Sequence, residues 1–153
     1  MKFEIFTTHP QYFDDAFPHS NNFFCNEDDF DEEPDFPYAT VDSHMSIFIV
    51  AIDGRKVAGG LQISYAEDGW MGDVDGFFWS MTGFGINEEY RGHGLSRKLV
   101  EKQFDFMRRV GIQSISQSNY TQSGLKYLYH IYDDFIKKNP DINYFHTQSK
   151  SFD

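Results

Sequence analysis

The sequence predicts an α+β protein built on one central mixed, mostly antiparallel sheet flanked by helices, and three observations predict it. The run Met45 to Ile52 (MSIFIVAI) is continuous, apolar and β-branched, and Asp53-Gly54 closes it, as expected of a buried strand entering a hairpin. Two later segments, Arg97 to Val110 and Thr121 to Lys138, carry apolar residues at helical spacing. Ahead of both, the apolar run Phe77 to Ile86 leads to Tyr90-Arg91-Gly92-His93-Gly94-Leu95-Ser96, which reads as a tight glycine turn opening a helix.

The remaining elements follow in order. Lys2 to Phe6 alternates, with Phe3 and Ile5 on one face, and reads as a short strand that His9-Pro10 breaks. Gln11 to Phe17 offers a helical turn or two before Pro18. Asn21 to Tyr38 interleaves acids with Phe23, Phe24, Phe30, Phe36 and Tyr38, and Pro34 and Pro37 oppose a long regular element there. It is either a solvated loop whose rings dock on the core or an acidic lip over a substrate cleft. Val57 to Tyr65 returns from the hairpin, with Gly59-Gly60 marking a bulge or a close packing point. After the turn Ala66–Gly69, Trp70 to Gly76 is expected to be an irregular acidic connector, and Phe77 to Ile86 the third antiparallel strand, bent or opened near Gly83 and Gly85. Gly111 suits a helix C-cap, Ile112 to Ser118 a strand, Pro140 the end of the second helix and Ile142 to Thr147 a last strand.

At 153 residues the chain is expected to form a single domain, 1–153, with an acidic region at 1–43 and its core at 45–135. Apolar residues at 40% and aromatic residues at 18% exclude wholesale disorder. The lone Cys25 excludes an internal disulfide framework, the start MKFEIFTTHP has no signal-peptide pattern, and no apolar run approaches the roughly 20 residues of a membrane helix. A cytoplasmic protein without a membrane partner is therefore expected. The net charge of −11 is unevenly spread: residues 1–43 hold eleven acids against Lys2 alone, leaving the rest near neutrality. Nucleic-acid binding, which needs basic patches, is disfavoured, and a cationic partner is easier to accommodate. The six histidines show no metal-ligand spacing, so no metal is expected.

The glycine turn carries the sharpest chemistry. Unpaired N–H groups at a helix start, with the helix dipole behind them, attract an anion, and glycines let the main chain approach it closely. A nucleotide P-loop would need Gly-Lys-Ser/Thr closing the turn, but Leu95 follows Gly94. A dinucleotide fingerprint would need a third glycine where Arg97 stands.

Arg91-Gly92-His93-Gly94-Leu95-Ser96, placed after a strand ending Phe84-Gly85-Ile86 and the connector Asn87–Tyr90, resembles the acyl-CoA signature of the GNAT superfamily of N-acetyltransferases. The signature runs Arg or Gln, two residues, Gly, one residue, then Gly or Ala; Ser96 stands at the last position. The likeness covers roughly Met45 to Phe135 and is weak before Thr40, where acceptor specificity usually lies. It implies a sheet splayed at the cofactor site and acetyl-CoA (coenzyme A) as cofactor. The main-chain N–H groups of Gly92, His93, Gly94, Leu95 and Ser96 would cradle the pyrophosphate, with Arg91 in support. Phe84 and Ile86 would pair with the pantetheine arm, an N–H near Gly85 or Ile86 would polarise the thioester, and Asn119 would contact the arm. The acid implied is a tyrosine on the second helix: Tyr127 by spacing from Ser123, with Tyr129 as runner-up and Tyr132 also on offer. The strand carboxylate that many members use as base is missing; Ser80, Met81 and Thr82 occupy that region, and Asp73, Asp75, Glu88 and Glu89 are the nearest acids. His93, His44 and His130 are not expected to serve.

The expected function is acetyl transfer to a primary amine by direct attack in a ternary complex. Its acceptor would be a polyamine, an aminoglycoside-like compound, or a lysine-bearing peptide or protein. The alternative is a catalytically weak GNAT-like module presenting its acidic face to a basic protein. The sequence also admits a homodimer.

Overall fold

In the computed structural model the described residues are 1–7, 45–66, 70–71, 74–117 and 122–146. The expected helical turn at Gln11–Phe17, the acidic segment Asn21–Tyr38, His44 and Asn119 lie outside them. The strands are β1 (Lys2–Thr7), β2 (Met45–Asp53), β3 (Lys56–Tyr65), β4 (Trp70–Met71), β5 (Val74–Asp75), β6 (Trp79–Ile86), β7 (Ser114–Gln117) and β8 (Asn143–His146), with helices α1 (Leu95–Val110) and α2 (Gln122–Lys138). Six strands form one mostly antiparallel sheet in the order β1-β2-β3-β6-β7-β8, as expected of the α+β class. Its parallel pairs, β6 with β7 and β7 with β8, are those whose connections contain α1 and α2, because a parallel return needs a long crossover.

The details correct the sequence reading in three places. The connector expected to be irregular contains a two-stranded pair, with Trp70 opposite Asp75 and Met71 opposite Val74. Gly72-Asp73 between them is a two-residue hairpin signal, but strands of two residues are too short to alternate visibly. The third strand of the meander starts at Trp79, not Phe77; the Phe78 carbonyl instead accepts from the Ala66 N–H at 2.9 Å. Helix α1 starts at Leu95, two residues early, because Leu95 is buried one helical turn before Leu99 and extends the same apolar face.

Contacts group the chain into two compact units, Met1–Ser64 with Thr82–Leu95, and Tyr65–Met81 with Ser96–Asp153. In the first unit, residues 46–52 and 57–64 are buried, which explains why β2 reads as a continuous apolar run instead of alternating. Phe6 of β1 faces Phe48 of β2 in register, and both join Val50, Ile52 and Val57 in one cluster. Each such side chain contributes about 1.5–3 kcal/mol when buried.

In the second unit Leu99, Val100, Phe104 and Met107 of α1 are buried, the face their spacing predicts. Phe104 stacks on Phe135 of α2 and on Tyr144 of β8, each at 5.6 Å between centroids. Gly111, at φ +80°, ends α1 as expected, and the Ile112 N–H reaches back to the Met107 carbonyl at 2.8 Å to close a Schellman turn.

Candidate active site

The glycine turn is held from several sides within the first unit. A short 3-10 turn, Glu88–Tyr90, links β6 to it. The Asn87 N–H donates to the Ala58 carbonyl at 2.9 Å, and the Asn87 amide donates to the Val57 carbonyl. The Tyr90 hydroxyl donates to Asp53 at 2.8 Å, and Lys56 pairs with Glu89 at 3.6 Å. The connector is thus tied to the β2–β3 hairpin, through partners some 30 positions away that no local pattern announces. Asn87 and Tyr90 are the supports that sequence reasoning missed.

Arg91, expected to support the turn, is hydrogen-bonded to the main chain beside it. Its Nε–H donates to the Ile86 carbonyl at 2.9 Å, so its side chain folds the turn back on the end of β6. Gly92 and Gly94 then sit at φ +82° and +78°, where residues with side chains are strained, and Gly92, His93 and Gly94 are all exposed. Leu95 is buried and Ser96 half-buried as the first two residues of α1. The first N–H groups of that helix have no intrahelical acceptor, and its first turn carries no acid. An anion placed there meets donors and the positive end of the helix dipole.

Just upstream, Phe84, Gly85 and Ile86 are half-buried. A Cβ added at Gly59 would lie 2.8 Å from the Gly85 carbonyl oxygen, so β3 passes too close to β6 here for any side chain, the packing point its glycine pair suggested.

In the second unit the three candidate tyrosines of α2 separate by environment. Tyr127 is 62% exposed, with the Lys126 ammonium 5.3 Å from its ring centre. Tyr129 is half-buried and stacks on His146 of β8 at 4.4 Å and 12°. Burial holds the His146 imidazole below its ordinary pKa, partly offset by Asp133, 3.8 Å away. Tyr132 is fully buried: its hydroxyl donates to Gln103 Oε1 at 2.5 Å and lies 3.7 Å from Met81 Sδ. Gln103 contacts the Tyr144 hydroxyl at 3.5 Å, and Tyr144 donates to Gln117 at 2.6 Å. Tyr132 is therefore a core group in a satisfied network, which leaves Tyr127 and Tyr129 as the candidates that reach solvent.

The potential bases divide similarly. Asp73 lies outside the described residues, Glu88 and Glu89 are exposed, and Thr82 is the exposed polar residue within β6. Among the described residues no group of three or more His, Cys, Asp or Glu side chains is arranged to hold a metal ion. No helix among them is long and apolar enough to cross a membrane.

A family model described as the acetyltransferase (GNAT) family matches residues 9–132, most of the chain and all of the glycine turn. Comparison with curated proteins and with solved structures gave no match. The positive-φ glycines, the helix start without acids and the strand–turn–helix order agree with that match. The chain belongs to the GNAT family of acetyltransferases, enzymes that take their acyl group from acetyl-CoA.

Proposed function

We propose that residues 1–153 act as one domain that transfers the acetyl group of acetyl-CoA to the primary amine of a cationic acceptor, in the cytoplasm, by direct attack in a ternary complex. The observation that carries the donor half is the exposed turn with Gly92 and Gly94 at φ +82° and +78° at the start of α1. The main-chain N–H groups of Gly92, His93, Gly94, Leu95 and Ser96 bind the pyrophosphate, and Arg91 fixes their orientation through its bond to Ile86. Phe84 and Ile86 hold the pantetheine arm, and Asn119 contacts it. When bound, acetyl-CoA supplies a thioester carbonyl to be attacked and a thiol as leaving group. An N–H at Gly85 or Ile86 stabilises the developing oxyanion. Tyr127 donates a proton to the departing sulfur, with Tyr129 next in line.

The acceptor half rests on charge. Residues 1–43 hold eleven acids against one lysine, a field that concentrates cations such as polyamines, aminoglycoside-like compounds or lysine-bearing peptides. The test is amine-dependent release of coenzyme A, measured with putrescine, spermidine, kanamycin and a lysine peptide. At least one is expected to be acetylated. Neutralising Glu27, Asp28, Asp29, Asp31, Glu32 and Glu33 together is expected to raise the KM for that amine about tenfold at low salt. An unchanged KM would remove the acidic-lip reading, and no turnover with any amine would remove the transfer reading.

A further inference from the structure

Three neighbouring strands of the first unit share a seam of polar side chains. Ser46 of β2, Gln62 and Ser64 of β3 are buried, yet each is polar, and Thr82 of β6 is exposed. The Gln62 amide Nε2 donates to Ser46 Oγ at 3.2 Å. Ser46 Oγ and Ser64 Oγ are 3.1 Å apart, and Ser64 Oγ and Thr82 Oγ1 are 2.9 Å apart. Thr82 Oγ1 in turn donates to the Gln62 main-chain carbonyl at 3.4 Å.

Both ends of this chain have a fixed sense, because an amide nitrogen only donates and a carbonyl only accepts. A single direction satisfies every link: Gln62 to Ser46, Ser46 to Ser64, Ser64 to Thr82, Thr82 to the carbonyl. Each hydroxyl has one hydrogen, so the direction commits the hydrogen of Thr82 inward. A second lone pair of Thr82 Oγ1 is then left over, on an exposed residue, as an oriented acceptor. Stability does not require such a seam, since replacing both partners of a buried hydrogen bond by apolar groups is close to neutral.

We infer that Thr82 Oγ1 binds an N–H of the acceptor amine and so aims the nitrogen at the acetyl group; this rests on the amine-transfer reading above. Thr82 lies on the strand whose Phe84, Gly85 and Ile86 are proposed to hold the thioester. A hydrogen bond from the amine to Thr82, a near-attack contact and a hydrogen bond from Gly85 or Ile86 to the carbonyl oxygen span roughly 10 Å in series. Gly85 and Ile86 lie three and four strand residues from Thr82, a rise of about 10 and 13 Å. With one N–H engaged by Thr82, the nitrogen lone pair is free to attack. The new bond is N–C and the broken bond is C–S; nitrogen releases one proton to solvent, Tyr127 gives one to the departing sulfur, and reprotonation of Tyr127 from solvent closes the balance. The seam thus selects an acceptor with an N–H to donate.

The test uses the full chain, acetyl-CoA and the amines n-butylamine, putrescine and spermidine, with release of coenzyme A as readout and calorimetry for acetyl-CoA binding. Thr82→Val keeps the shape and removes the acceptor; its kcat/KM for the amine is expected to fall about tenfold or more, with acetyl-CoA affinity within about twofold. Thr82→Ser is expected to recover to within about threefold of wild type. Ser64→Ala, which frees the Thr82 hydroxyl to rotate, is expected to lose about threefold. If Thr82→Val keeps amine kcat/KM within twofold, or Thr82→Ser is as impaired as Thr82→Val, the inference is overturned. A wild-type chain that binds acetyl-CoA but acetylates none of these amines overturns the transfer reading, and this inference with it.

Discussion

In the proposed mechanism the region between Ile86 and Leu95 acts through its main chain, whereas α2 acts through phenol groups that face different surroundings. In the first region Arg91 bonds to Ile86, Tyr90 to Asp53 and Asn87 to Val57 and Ala58, and this bracing holds a turn whose Gly92, His93 and Gly94 are exposed. In the second, Tyr127, Tyr129 and Tyr132 share one helix, yet one is open to solvent, one is stacked on an imidazole and one is sealed in the core. A turn built from backbone is specified by residue type, because only glycine tolerates those φ values. A helix-borne acid is specified by angular position, which two residues change by about 200°.

The two regions separate most visibly at Gly94. A Cβ there meets nothing within 4 Å, so Gly94→Val should leave the fold intact, but φ +78° excludes a β-branched residue and the N–H groups must turn away. Calorimetry is expected to show acetyl-CoA affinity reduced at least about a hundredfold. Next comes Tyr127→Phe, expected to lower turnover about a hundredfold and urea-unfolding stability by no more than about 0.5 kcal/mol. If turnover is unchanged, Tyr129 takes the acid's place or the role disappears. Tyr132→Phe is expected to do the reverse. It strands the Gln103 carbonyl oxygen in the core at a cost of about 2 kcal/mol in urea unfolding, with kcat of the folded enzyme within about twofold.

The sequence was legible where a local chemical rule applied. The glycine turn, the Asp53-Gly54 hairpin, the Gly111 cap and the buried face of α1 all follow from φ preference or spacing. Gly59 was readable as a close approach, though not as an approach to Gly85. Less was legible where a long-range partner decides. Ser46, Gln62, Ser64 and Thr82 look like unrelated polar residues in apolar strands until register brings them into one chain of hydrogen bonds. Tyr132 could not be told from Tyr127 by its surroundings until Gln103, 29 positions away, supplied its acceptor. The short pair β4–β5 escaped because two-residue strands have no period to detect.

The smallest expected effect concerns His146, whose stack with Tyr129 sets that tyrosine apart from Tyr127. Burial lowers the His146 pKa in the folded protein, so the unfolded chain binds the proton more readily. Stability is therefore expected to fall as pH drops below the ordinary histidine value of about 6.5, until the folded group also titrates. Asp133 acts in the same sense at lower pH: the hydrogen bond it accepts from Lys137 holds its pKa below the usual value, a contribution retained above about pH 4 and lost below. Melting temperatures between pH 7.5 and 5 are expected to decline less in His146→Phe than in wild type. Equal slopes would show that the stacked imidazole does not titrate in this range.

A calorimetric titration of acetyl-CoA into wild-type and Gly94→Val protein tests most directly whether the glycine turn is the pyrophosphate cradle of acetyl-CoA. Saturable one-to-one binding to wild type, lost in a variant that melts cooperatively, is the predicted result. Absence of binding to wild type, or equal affinity in the two proteins, would contradict it.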